Sequence, residues 1–80
     1  MSTTQLDHMV QMVNQIVDSC PGQDDPEQVI TTAETHLYKF WARPMKNAII
    51  AHLHRGGDGL SDRSREVVRR VEARRQAAAG

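Results

Sequence analysis

An all-α fold is what this sequence predicts: a small bundle of three to four short helices with a frayed C-terminal tail. Three observations lead to it. Apolar residues recur at three- and four-residue steps, the spacing of one helical face. No stretch alternates apolar and polar residues as a half-buried strand does. Breakers at Pro21-Gly22, Pro44 and Gly56-Gly57 cut the chain into segments of helical length. With 80 residues there is room for one domain, read as residues 1–73, followed by a flexible basic and alanine-rich tail over 74–80.

The first helix starts at Thr4, a capping residue with Asp7 three positions on. Leu6, Met9, Val10, Val13, Ile16 and Val17 form its apolar stripe, and Ser19-Cys20-Pro21-Gly22 stops it. Asp25 caps the second helix, Pro26 takes its first position and Gln28 the reciprocal capping site. Val29, Ala33, Leu37 and Phe40 share one face, widened by Ile30 and Trp41. Pro44 closes that helix and begins the third, whose stripe is Met45, Ala48, Ile49, His52 and Leu53. Gly56 or Gly57 supplies the left-handed residue that ends it. Ser61 caps a fourth helix lined by Val67, Val68 and Val71. Beyond Val71 there is nothing large to bury, so helical order is expected to fade after about Ala73.

Charge is unevenly spread. Residues 1–36 hold six acids and no Lys or Arg, whereas residues 37–80 hold ten basic residues and four acids, and the sum is zero. This fits a polyanion binder, two halves of one bundle that attract each other, or a match to two regions of a large partner. Cys20 is the single cysteine, which excludes an intrachain disulfide and suits a reducing compartment. The N-terminal residues carry no basic region or apolar signal core, and no run approaches a membrane span. A cytoplasmic location is expected.

Chemistry is sparse. His8, His36, His52, His54 and Cys20 do not have the paired spacings of a zinc site, and the rings of His52 and His54 diverge on a helix. Gly56-Gly57-Asp58-Gly59 lacks the preceding strand and the lysine of a phosphate loop, and reads as a helix-to-helix turn. Arg63, Arg65, Arg69, Arg70, Arg74 and Arg75 leave open a small helical regulator that binds nucleic acid. Asp62 and Glu66, in the first turns of that helix, argue against it.

The only aromatic residues, Tyr38, Phe40 and Trp41, cluster just before Pro44 and Met45. Aromatics and Met are enriched at protein interfaces, so part of this cluster is expected to face a partner, with Trp41 where helices two and three meet. The run Met12-x-Asn14-Gln15-Ile16, then His36-Leu37-x-Lys39-Phe40-Trp41, Pro44-Met45, Ile49-x-x-His52-Leu53 and Gly56-Gly57-x-Gly59-Leu60 resembles the delta subunit of cytosolic NAD-dependent formate dehydrogenase. The resemblance spans about Met9 to Val68. It departs from the family pattern in the order Arg43-Pro44 and in Ser61-Asp62, where a proline is usual.

The resemblance implies a non-catalytic accessory subunit that supports assembly or stability of the catalytic alpha subunit. It implies that larger partner subunits carry a molybdenum or tungsten pterin cofactor, iron–sulfur clusters, FMN and NAD, and that this chain binds none of them. The expected partner interface is Tyr38, Phe40, Arg43, Pro44, Met45, His52 and Leu53, together with Trp41, Ile49 and Leu60. Gly56, Gly57 and Gly59 are its expected turn.

Overall fold

The computed structural model describes residues 4–79 and consists of four helices, α1 (Thr4–Ser19), α2 (Pro26–Phe40), α3 (Arg43–His54) and α4 (Asp62–Ala79). No strand occurs among the described residues. The side chain of Thr4 lies outside what is described, and so does the capping box expected there.

Local chemistry sets the helix boundaries. The carboxylate of Asp25 accepts from the Gln28 backbone N–H at 3.3 Å, satisfying one orphan donor of α2. The Gln28 side chain does not reach back as a capping partner but lies over Gly22. Arg43, not Pro44, is the first residue of α3, and Ala42 stands at its cap position without a side-chain bond. The end of α3 is a Schellman motif: Gly57 N–H donates to the His52 carbonyl at 2.9 Å and Gly56 N–H to the Leu53 carbonyl at 3.0 Å. Ser61 caps α4, its hydroxyl accepting from Ser64 N–H at 3.2 Å.

Packing follows the predicted stripes. The core contains Val10, Val13, Val17 and Cys20 of α1, Val29, Ile30, Ala33 and Leu37 of α2, Ile49 of α3, and Val67, Val68 and Val71 of α4. Trp41 and Leu60 join it from the two corners. The widest contact is between α2 and α4. Charged and polar pairs along its edge record its direction: Arg63 reaches Gln23, Arg70 reaches Glu27 and Arg74 reaches Glu34. These pairs advance together along both helices, so α2 and α4 run in the same general sense. In α3 the order is reversed. His54 near its end meets Glu72, while Arg43 at its start shares a cleft with Arg75 and Ala79. Short linkers favour antiparallel neighbours, and α3 and α4 are so arranged.

Helix α4 is longer than its sequence suggests, continuing through Ala79 instead of fading after Ala73. Arg74 explains the first added turn. Its guanidinium lies 4.2 Å from the Tyr38 ring centroid and 3.6 Å from the Glu34 carboxylate. The final alanines are exposed and are good helix formers.

A polar clasp ties α1 to the start of α4. The Asn14 amide donates to the Gly59 carbonyl at 2.9 Å, and its oxygen accepts from Ser61 N–H at 3.1 Å and from the Ser64 hydroxyl at 2.6 Å. Ser64 is wholly buried, and its hydroxyl also accepts from Ser61 Oγ at 2.9 Å. Asn14→Ala would leave that buried hydroxyl without its acceptor, and the expected cost is about 1–3 kcal/mol. Urea unfolding of the variant beside the parent checks it.

Arg70 forms a two-point bond to Glu27 at 2.6 and 3.0 Å and a third bond to Glu66 at 3.0 Å. These bonds hold the Glu27 and Glu66 carboxyls below their ordinary value of 4.5. A depressed folded-state pKa gives stability that is present above the unfolded value and lost as pH falls through the folded one. The melting temperature is therefore expected to hold between neutral pH and about 5, then to fall below about 4.5, less steeply in Glu27→Gln. A melting series across that range tests this.

Candidate functional site

The aromatic corner between α2 and α3 separates into an inside and an outside. Helix α2 ends at Phe40, and the extended backbone at Trp41 and Ala42 turns the chain into α3. Trp41 N–H still donates to the Leu37 carbonyl at 3.1 Å, so its side chain is delivered to the core beside the α2 stripe. Trp41 is 6% exposed whereas Phe40 is 72% exposed, the one large apolar side chain left in solvent among the described residues. Phe40 leans on His36, one turn earlier, with ring centroids 5.1 Å apart.

The ten residues expected at a partner interface are thus divided. Phe40, Arg43 and Pro44 are exposed, and Tyr38, Met45, His52 and Leu53 are half-buried. Trp41, Ile49 and Leu60 are buried in the chain's own core, with only an edge of Trp41 left at the surface. The reason is size: an 80-residue bundle with three aromatics uses its tryptophan to fill the junction of its helices.

His52 has a structural role. Its Nε2 lies 2.8 Å from the Asp58 carbonyl, and because a carbonyl only accepts, Nε2 carries the proton. With the Schellman bonds this fixes the glycine turn. Gly57 has φ +64° and Gly59 φ +88°, and a Cβ on Gly59 would stand 3.2 Å from Val10 Cγ1. Gly59 therefore allows the loop to lie directly on α1, where Asn14 grips it.

Beside Phe40 runs an open, mainly apolar groove of about 570 Å³ between α1 and α2, lined by Met12, Ile16, Cys20, Pro21, His36 and an edge of Trp41. Sequence reading missed it as a site, although the signal was present. Helix α1 carries two apolar ridges: Val10-Val13-Val17-Cys20 is buried, and Met9-Met12-Ile16, one residue behind, is only partly covered. Cys20 is not a nucleophile here. Its thiol donates to the Ile16 carbonyl at 3.1 Å, and burial pushes its pKa up, away from the reactive thiolate. No three His, Cys, Asp or Glu among the described residues converge as metal ligands, and no helix there is long and apolar enough to cross a membrane.

Against known families, residues 8–68 match the NADH-dependant formate dehydrogenase delta subunit, FdsD. The chain belongs to the FdsD family. It is accordingly a small helical accessory subunit with no catalysis of its own. No curated protein and no solved structure shows a significant match. The FdsD match contains the aromatic corner, the groove and the glycine turn, and it ends at Val68, before the last turns of α4.

The inside–outside division has a direct test. Trp41→Ala is expected to destabilise the isolated chain by about 3–5 kcal/mol, as large-to-small core changes do. Phe40→Ala is expected to change stability by less than about 0.5 kcal/mol. Chemical denaturation of both variants measures the contrast.

Proposed function

We propose that this FdsD-family subunit docks through the Phe40 corner on the catalytic alpha subunit of a cytoplasmic NAD-dependent formate dehydrogenase, supporting its assembly or stability. The observation that carries the reading is the exposed Phe40 beside an apolar groove. Exposed aromatics next to apolar clefts are the usual anchors of protein interfaces. Phe40 and Pro44 supply the outer contact, half-buried Met45 follows them at the start of α3, and Met12 and Ile16 line the groove. The buried Trp41, Ile49 and Leu60 act by holding this surface in shape.

The pterin, iron–sulfur, flavin and nicotinamide chemistry is assigned to the partner subunits. The residues of this chain do not fit such groups. Iron–sulfur clusters are held by several thiolates, and Cys20 is a lone, buried thiol. Nucleic-acid binding is not supported by the arginines of α4, most of which are engaged within the chain.

The test is co-purification of the tagged chain with the catalytic subunit, followed by a binding measurement on Phe40→Ala. The expected loss is about 2 kcal/mol, roughly thirtyfold in affinity, with unchanged helicity. Unchanged affinity in the variant would remove Phe40 from the interface.

A further inference from the structure

We propose that a second surface, the cleft between the start of α3 and the last turns of α4, receives a carboxylate-rich segment of a protein partner. The cleft, about 670 Å³, is lined by Arg43 and Lys46 of α3 and Arg75 of α4, with Tyr38 and Ile50 beside them. No Asp or Glu occurs between Glu34 and Asp58, so the end of α2 and all of α3 bring only cations to this side. The one acid in the lining, Glu72, is engaged by His54 Nε2 at 2.7 Å.

The pairing of the α4 arginines isolates this cleft. Arg63 donates to Gln23, Arg65 to the Leu60 carbonyl, Arg69 to Glu66 and Arg70 to Glu27 and Glu66, while Arg74 pairs with Glu34. Arg75 has no such partner among the described residues, and neither has Arg43 across the cleft. Lys46 is tethered by the Tyr38 carbonyl at 2.8 Å and adds a third positive charge. Arg69, Arg70 and Arg74 have carboxylate partners within the chain, whereas Arg75 lines this cleft together with Arg43 and Lys46. A carboxylate received among these cations gains favourable charge contact with each of them.

The wall favours a peptide over a phosphate backbone. Ile50 and the methyl groups of Ala78 and Ala79 offer apolar contact to the methylene stems of Glu and to neighbouring side chains. Polyphosphate binding uses a longer row of cations, and here an acid stands within the lining.

The inference takes its partner, the catalytic subunit, from the accessory-subunit reading. The test measures association of the full chain with that subunit at about 0.05 M and about 0.5 M salt, for Arg43→Glu combined with Arg75→Glu, for Phe40→Ala and for Arg55→Glu as a control outside the cleft. Circular dichroism confirms that each variant is folded. The expected result is a loss of about tenfold or more for the double reversal at low salt, shrinking at high salt, with Arg55→Glu close to the parent. Parent-like association of the double reversal at low salt overturns the cleft while leaving the Phe40 reading intact. An equal loss in Arg55→Glu also overturns it, because the effect would then be one of overall charge. If the parent chain itself does not bind, the accessory reading falls first, and titration with a Glu-rich peptide then decides the cleft alone: saturable binding lost in the double reversal supports it. A duplex RNA oligonucleotide that binds in preference to the peptide, with the same dependence on Arg43 and Arg75, overturns it in favour of phosphate.

Discussion

Burial of Val67, Val68 and Val71 of α4 against the Val29-Ala33-Leu37 stripe of α2 is the contact on which the rest of the molecule depends. All six side chains are 2% exposed or less. Five of the six are valine or alanine, and Leu37 is the largest of the set. Each buried valine contributes on the order of 1.5–3 kcal/mol. That is a large share of the total stability of a domain of this size, commonly about 5–15 kcal/mol. The larger apolar side chains lie elsewhere. Trp41 is accommodated at the corner, Met12 and Ile16 at the flank, and Phe40 in solvent. The same packing that buries the valine ridge of α1 leaves Met9, Met12 and Ile16 only partly covered.

Much of this was legible in the sequence because it is local. Asp25, Pro26 and Ser61 mark helix starts through backbone bonds within one turn, and Gly56-Gly57 marks a stop through backbone conformation alone. The four helices follow from such signals, and every core valine follows from the three- and four-residue spacing. The exposure of Phe40 relative to Trp41 did not follow. Both extend the α2 face by spacing, and only the extended backbone at Trp41 decides which one turns inward. The Asn14 clasp spans 45 to 50 residues, so no local pattern announces it, although Asn14 stands in the segment that resembles the family. The full length of α4 is not legible in the sequence because its last turns have no apolar stripe. Their anchor, the Tyr38–Arg74 contact, is a long-range cation–π pair.

Part of the contrast between the acidic first half and the basic second half resolves within the fold. Glu27 and Glu34 of α2 meet Arg70 and Arg74 of α4, so the segregation along the sequence becomes adjacency in space. These are surface pairs, individually weak, and their main effect is to favour one register of α2 on α4. A seam of similar small apolar residues distinguishes alternative registers poorly by packing alone. Charges along its margin penalise a slip that packing would tolerate.

Trp41 is the sole indole of the chain, mostly enclosed, yet one edge lines the groove between α1 and α2. Indole emission depends on the polarity next to the ring. The molecule therefore carries a built-in optical probe at the boundary between its interior and its apolar strip. Unfolding hydrates the ring, whereas covering the groove removes water from its remaining edge, and the two events move the emission in opposite directions.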